Sequence, residues 1–383
     1  MAMTARATQL RREGRDIVSL SVGEPDFRIF PHIEEAVMDA VRKGYTKYTA
    51  PNGLVELREA ISDWMFREVG VRWPAAQIVA TAGGKQALYN ACMALLDEGD
   101  EAVIPNPYWV SYPEMVRLAG GKPIDLMLRQ EDGWAPRAED LERVFTPRTR
   151  LFIFSSPSNP TGAVWSLEVI RAVAGVLEKY PRVTILSDDI YDKLVYGGKK
   201  VTNILQVAPQ LRERTVLING CSKAYAMTGL RLGWACGPAA IIAGMNKVQD
   251  ASTSNPSSLS QHAAVAALRG PQEPLEAMRV QFEKRRILMT ELLEKVPGVH
   301  AHVPDGAYYV FADFSQLLSK KYRGEAVATT QRLAELLLEE FGVAAVPGSA
   351  FGREGYLRLS FAISEADIRK AMERVARCAS TLE

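Results

Sequence analysis

From about residue 32 onward, short apolar runs alternate with longer stretches that carry a single apolar face. The runs Ile78–Thr81, Glu101–Ile104, Pro123–Leu128, Leu151–Ser155, Thr184–Ser187, Thr215–Asn219 and Leu232–Cys236 read as buried strands, being short and rich in aliphatic and β-branched residues. Between most of them lie amphipathic stretches of ten or more residues, such as Lys85–Leu96 and Ser166–Lys179. That alternation predicts an α/β fold, a largely parallel, doubly wound sheet with helices on both faces. Sheets of this kind place their ligands at the carboxyl ends of strands. A polar or glycine-rich motif follows nearly every run named above.

The flanks read differently. Residues 5–13 predict a short basic helix ahead of the apolar run Ile17–Val22. After Pro238 two helical patterns, 239–252 and 257–268, lead to Gly270-Pro271 and a long charged helix near 272–295. Beyond Val299, alternating strands (Tyr308–Asp313 and Tyr356–Phe361) mix with helices near 325–341 and 364–381, which predicts a smaller α+β unit. At 383 residues the chain exceeds one comfortable core. The expected organisation is an N-terminal segment, 1–30, joining the small domain, then a large domain, 31–270, and a small C-terminal domain, 271–383.

Composition narrows the partners rather than the fold. With 46 basic against 45 acidic residues and a formal net charge of +1, nothing electrostatic favours nucleic acid or a membrane surface. Four scattered cysteines, Cys92, Cys221, Cys236 and Cys378, show neither metal spacing nor a disulfide framework and suit a reducing compartment. No secretory pattern opens the sequence and no apolar run reaches the length of a membrane helix, so a cytoplasmic location is the default expectation.

Candidate chemistry concentrates after the run Thr215–Asn219, in the stretch Gly220-Cys-Ser-Lys-Ala-Tyr-Ala-Met-Thr-Gly-Leu-Arg-Leu-Gly. A lysine in a tight turn past a strand end points its amine into the cleft that the sheet opens. Burial there disfavours the ammonium and frees the amine as a nucleophile. Lys223 is that lysine, and Arg231, eight residues on, offers a planar cation suited to a phosphate. A Ser-Lys pair alone would be an ordinary solvated loop. Thr184–Ser187 runs into Asp188, at a place where aspartate is most often a cap or turn residue. Gly83-Gly84-Lys85 opens a helix directly after a strand, where backbone amides and the helix N-terminus favour an anion, although turns use Gly-Gly constantly. Trp109 stands at another strand end, a position that by itself suggests a half-buried surface aromatic. Arg358 shares one side of its strand with Tyr356 and Ser360, and an arginine inside an apolar strand needs a partner. A carboxylate gripped by both terminal nitrogens would supply one.

Taken together these motifs resemble, in order, those of the class I pyridoxal-phosphate aminotransferases, over residues 15 to the C-terminus. The branch that looks most similar is the aspartate/prephenate one. The resemblance implies a fold type I architecture, a homodimer with shared active sites, and pyridoxal 5′-phosphate as cofactor. It makes Lys223 the catalytic lysine and assigns cofactor contacts to Asp188 (ring nitrogen), Tyr191 and Asn159 (phenolic oxygen), Trp109 (ring stacking), and Gly83, Gly84, Ser222 and Arg231 (phosphate). Tyr48 resembles the tyrosine that reaches the phosphate across the dimer interface. For the substrate it implies Arg358, Asn159 and Gly23 at the α-carboxylate, Lys85 at a distal carboxylate and Trp109 beside both. The bond between Asn159 and Pro160 is a candidate for the cis form. Two departures stand out. Gly220 occupies a place where serine is common, which removes one hydroxyl from the phosphate, and the N-terminal segment that covers the substrate in relatives is expected to be missing.

The implied activity is a ping-pong transfer of the α-amino group from aspartate or another dicarboxylic amino acid to 2-oxoglutarate. The alternatives are an aromatic or prephenate aminotransferase and a carbon–sulfur β-lyase on the same fold. No metal is expected. A transcription regulator would need a DNA-binding segment ahead of the domain and a basic face, neither of which the sequence shows.

Overall fold

The computed structural model describes residues 2–383. Seven strands form the main sheet: β1 (Ile78–Thr81), β2 (Glu101–Asn106), β3 (Lys122–Met127), β4 (Thr149–Ser155), β5 (Thr184–Asp188), β6 (Thr215–Gly220) and β7 (Gly233–Cys236). Their spatial order is β1-β7-β6-β5-β4-β2-β3. Neighbours from β6 through to β3 run parallel, and only β7 is reversed, antiparallel to both β1 and β6. The apolar runs of the sequence therefore mark the strands to within two residues at each end, but not the direction of the last one.

Period two divides the sheet's side chains between its faces. Val79, Ile104, Leu151, Ile153, Leu186, Val216, Ile218 and Ala235 pack under the helices Gly84–Leu95, Ser111–Leu118 and Ala239–Ser252. Their neighbours Ile78, Val103, Phe152, Phe154, Ile185, Leu217 and Trp234 join the larger core on the other face, beneath Val55–Val69, Leu167–Glu178 and Ser258–Arg269. The sheet is thus wound on both sides, as the alternation requires. One strand departs from its expected burial. β3 closes the sheet's edge, and of its six residues only Leu126 is buried.

A second sheet is antiparallel and made of β8 (His300–Ala301), β9 (Tyr309–Asp313), β10 (Val346–Pro347) and β11 (Tyr356–Ser360), in the order β10-β11-β9-β8. The N-terminal segment joins this region. Val18 and Ser19 pair in parallel with Val343 and Ala344, and the Ser360 amide donates to the Leu20 carbonyl at 2.8 Å. The long helix Glu273–Leu293 packs against Glu365–Thr381 beneath the second sheet. The helix anticipated near 325–341 is shorter, Thr330–Glu339. A hairpin (Lys321–Tyr322 with Glu325–Ala326) takes its first turns, and Thr329 caps it by accepting from the Arg332 amide at 3.2 Å.

Candidate active site

The carboxyl ends of β4, β5 and β6 put Ser155, Asp188 and Gly220 side by side, and β11 brings Arg358 across from them. Between lies a cleft of about 720 Å³ lined by residues of both sheets.

Lys223 follows β6 on the single turn Cys221–Ala224. Its Nζ donates to the Gly23 carbonyl at 2.6 Å. Burial lowers its pKa from the usual lysine range to about 8. Glu24 and Asp188 oppose that shift, while Arg358 and Arg231 add to it. The expectation of an amine made easy to deprotonate is met, and the cause is the one anticipated.

On one side of the amine the backbone forms a cradle that tolerates no side chain. A Cβ on Gly83, whose φ is +89°, would stand 2.6 Å from Nη2 of Arg231. A Cβ on Gly233 would stand 2.3 Å from the Gly84 amide nitrogen. Gly220, opposite Gly233 in the ladder, is closed in the same way, 2.9 Å from Gly233 Cα. A serine there would collide with the neighbouring strand, so glycine at 220 follows from the close approach of β6 and β7. Arg231 itself adopts a left-handed conformation, φ +54°, and rests on the carbonyls of Thr228 and Ala82 at 2.9 and 3.3 Å. The helix Gly84–Leu95 begins at this point; the Gln86 amide donates to the Gly83 carbonyl at 3.0 Å, which leaves the amides of Gly84 and Lys85 at its N-terminus to meet an anion. Ser222 lines the cleft beside Lys223.

On the other side lies Asp188, 4% exposed. Burial pushes its carboxyl up to about 6, although the Tyr112 hydroxyl, the Ile190 amide and Lys223 all pull it down. Tyr112 donates to Oδ2 at 2.7 Å and the Ile190 amide to Oδ1 at 3.3 Å. A cation set against Asp188 would complete the neutralisation that these donors begin. In the sequence Tyr112 is only one more aromatic. Its spacing of three from Trp109, one helical turn, is the signal that puts both rings on the same side, where they meet edge to face at 5.4 Å.

Arg358 is 7% exposed and forms no ion pair with any carboxylate of the described residues. Nη1 donates to Asn159 Oδ1 at 3.1 Å, Nη2 donates to the Ser21 carbonyl at 2.9 Å, and Nε has no partner. The guanidinium stacks over the Tyr309 ring at 4.3 Å and faces Phe351 at 5.1 Å. A buried cation held only by neutral acceptors is arranged for an anion from outside the chain. Asn159 comes from a loop with three X-Pro bonds nearby or within it, and Asn159-Pro160 is cis, as are Ser156-Pro157 and Asn106-Pro107. Tyr191 shares a hydrogen bond with Tyr309, hydroxyl to hydroxyl, at 2.9 Å.

Lys85 hydrogen-bonds Ser111 Oγ at 3.1 Å and lies over the Trp109 ring at 4.7 Å, with its pKa lowered by burial and by Arg231. It therefore faces the cleft from the rim. Tyr48 is not brought to the cleft within a single chain and is 91% exposed. The first helix, Ala2–Arg12, places Ala5 and Thr8 on the cleft wall, so the region expected to be left uncovered at the N-terminal end has a cover. Ser21, Tyr309, Val346 and Phe351 also line the cleft and carry no signal in the sequence, since each reads as an ordinary core or turn residue.

Comparisons with known proteins bear on the family and the fold. The family model for aminotransferase class I and II matches residues 15–375. An aspartate/prephenate aminotransferase of Nitrosomonas europaea is 44% identical over 378 residues, covering 98% of this chain and 95% of that protein. The crystal structure of the aspartate aminotransferase from Rhizobium meliloti superposes with a TM-score of 0.96 at 42% identity, covering 100% of this chain and 96% of the other. The aspartate aminotransferase of Thermus thermophilus with maleate gives a TM-score of 0.92 at 42% identity, over 98% and 95%.

Proposed function

The chain belongs to the class I and II aminotransferase family, and we propose that it uses pyridoxal 5′-phosphate to move the α-amino group of aspartate, or a similar dicarboxylic amino acid, to 2-oxoglutarate. The observation that carries this reading is one half-buried amine, Lys223, set between a turn where Gly83, Gly220 and Gly233 leave no room for a Cβ and a buried guanidinium without a carboxylate.

The residues fit the cofactor. Arg231, the amides of Gly84 and Lys85, and Ser222 would hold its phosphate, with Gly83 leaving the room that Arg231 occupies. Asp188 would hold the ring nitrogen, Tyr191 and Asn159 the phenolic oxygen, Trp109 the ring face, and Lys223 Nζ the aldehyde carbon. When bound, the cofactor supplies an electron sink beside the substrate's Cα.

The chain's own residues do the rest. Arg358 and Asn159, with the backbone at Gly23, grip the α-carboxylate and so fix the direction of the bond that breaks at Cα. Lys223, part neutral near pH 8, takes the proton from Cα as general base and gives it up again as general acid within the same half-reaction, and it does the reverse in the other half of the ping-pong cycle. Lys85 offers a cation to the second carboxylate of the substrate. Maleate in the Thermus relative is a four-carbon dicarboxylate and supports that choice. A wall of Val110, Val346, Ala350 and Phe351 favours, as a second reading, an aromatic or prephenate-derived side chain in the same cleft.

The active unit we propose is a homodimer, in which the exposed Tyr48 of each copy completes the other's phosphate cradle. Lys223→Ala tests the core of the reading. The variant is expected to lose the visible absorption of bound cofactor and nearly all turnover, and full activity in it would end the proposal.

A further inference from the structure

The tyrosine pair at the entry to β9, Tyr308 just before the strand and Tyr309 its first residue, does more than fill the core. Tyr308 has no exposed surface, and its ring is wedged between Phe282 at 5.5 Å, Tyr191 at 5.5 Å and Tyr309 at 4.7 Å. Its hydroxyl donates at 2.9 Å to the Gly23 carbonyl. That same carbonyl accepts the Lys223 amine at 2.6 Å, and the amine lies 6.0 Å from the Tyr308 ring centre. One backbone oxygen therefore holds two donors, one fixed and one that must leave it to react.

We propose that Tyr308 is a positioning residue for Lys223, and that by staying on the Gly23 carbonyl it keeps that acceptor paired when the amine departs. The proposal rests on Lys223 being the reactive amine. A carbonyl has two lone pairs, and a half-buried acceptor that loses its partners keeps part of its desolvation cost. With Tyr308 in place the cost of abandonment is small, because one bond survives. Without the hydroxyl, the departing lysine would strand the oxygen, and the amine would be held back. The carbonyl, no longer shared, would also bond the ammonium more strongly and favour the charged form. The charged groups that face Lys223 are Glu24, Asp188, Arg231 and Arg358. The Tyr308 hydroxyl meets the neutral hydroxyls of Tyr191 and Tyr309 as well as the Gly23 carbonyl, and of these only Gly23 holds the Lys223 amine.

Tyr308→Phe removes one oxygen and keeps the ring. On cofactor-free protein, competitive labelling with acetic anhydride at a series of pH values, read at Lys223 by mass spectrometry, gives the amine's titration directly. We expect its midpoint to move up the pH scale by about 0.5 to 1, which is roughly three- to ten-fold less free amine at neutral pH. In the loaded enzyme we expect kcat to fall about ten-fold with KM for the amino acid little changed. Tyr196→Phe removes a buried hydroxyl that bonds the Ala307 carbonyl and not Gly23, and it should leave the Lys223 midpoint where it is. If Tyr308→Phe lowers the melting temperature but shifts neither the midpoint nor kcat, the hydroxyl is structural and the proposal is wrong. If KM rises instead and the midpoint stays, Tyr308 serves the substrate carboxylate through Gly23, which also overturns it. Failure of the underlying reading looks different, since Lys223→Ala would then keep its cofactor absorption.

Discussion

The two sheets reach the same cleft by different means. The seven-stranded sheet works through the ends of its strands. Asp188 ends β5, Lys223 and the Gly83-Gly84 turn lie just past β6 and β1, and Arg231 lies just before β7, all held by backbone pressed against backbone at Gly233 and Gly220. The four-stranded sheet delivers Arg358 from the middle of a strand, paired in register with Phe311 and Val346, and fixes it by ring stacking and two neutral acceptors. One side is built so that a fixed anion can be held tightly. The other presents a rigid cation to a ligand that arrives and leaves. In the proposed function that difference separates retention of a cofactor from recognition of a substrate, and mutations on the two sides should fail in different ways.

The largest expected effect comes from the strand-borne side. Arg358→Ala removes a buried charge-assisted contact, a loss of about 3–5 kcal/mol or roughly 150- to 5,000-fold in kcat/KM for every amino acid tried. Cofactor retention, measured by visible absorption after gel filtration, should survive. Joint loss of both would mean that the two sides are not separable.

Asp188→Asn sharpens the contrast from the loop-borne side. A carboxyl whose folded pKa is raised to about 6 costs stability as pH climbs from its unfolded value, near 3.8, through that range, and the cost is complete above it. In cofactor-free protein at pH 8 the variant should therefore be more stable by about 3 kcal/mol, the worth of a proton held roughly a hundredfold more tightly in the folded chain. Below pH 4 the two proteins should be alike, and denaturant titration at both pH values reads the difference. Turnover of the loaded variant should fall sharply at the same time, a stability gain coupled to a functional loss.

Lys85→Ala should cost aspartate and glutamate roughly 10- to 150-fold, the worth of a charged hydrogen bond, while sparing alanine and phenylalanine. Equal losses on all four would move Lys85 to the phosphate or the fold. The smallest effect expected is on stability. Gly233→Ala forces a methyl group against the Gly84 nitrogen, an overpacking cost of about 1–3 kcal/mol, with weakened cofactor retention. Gly229→Ala, where nothing lies within 4 Å, should change neither.

The same division explains what the sequence could show. Loop chemistry announces itself, because Gly-Gly after a strand, Asn-Pro and a Lys eight residues before an Arg are unusual for core packing and stand at strand ends. The strands are legible for a related reason, their short aliphatic runs being buried on both faces. Contacts between distant segments leave no such mark. The pairing of Val18 with Val343, the pairing of β7 with β1 and the bond from Tyr112 to Asp188 all join residues whose partners lie far along the chain. Tyr308 in an apolar strand looks like core, and most of it is. Only its hydroxyl, aimed at Gly23 285 residues away in sequence, says otherwise.

The claim at the centre is that the Lys223 amine, and no other, carries the aldehyde cofactor. Protein loaded with pyridoxal 5′-phosphate, reduced with borohydride and mapped by peptide mass spectrometry should show the cofactor on Lys223 in near-stoichiometric yield. An adduct on Lys85 or another lysine, or none at all on folded protein, would contradict it.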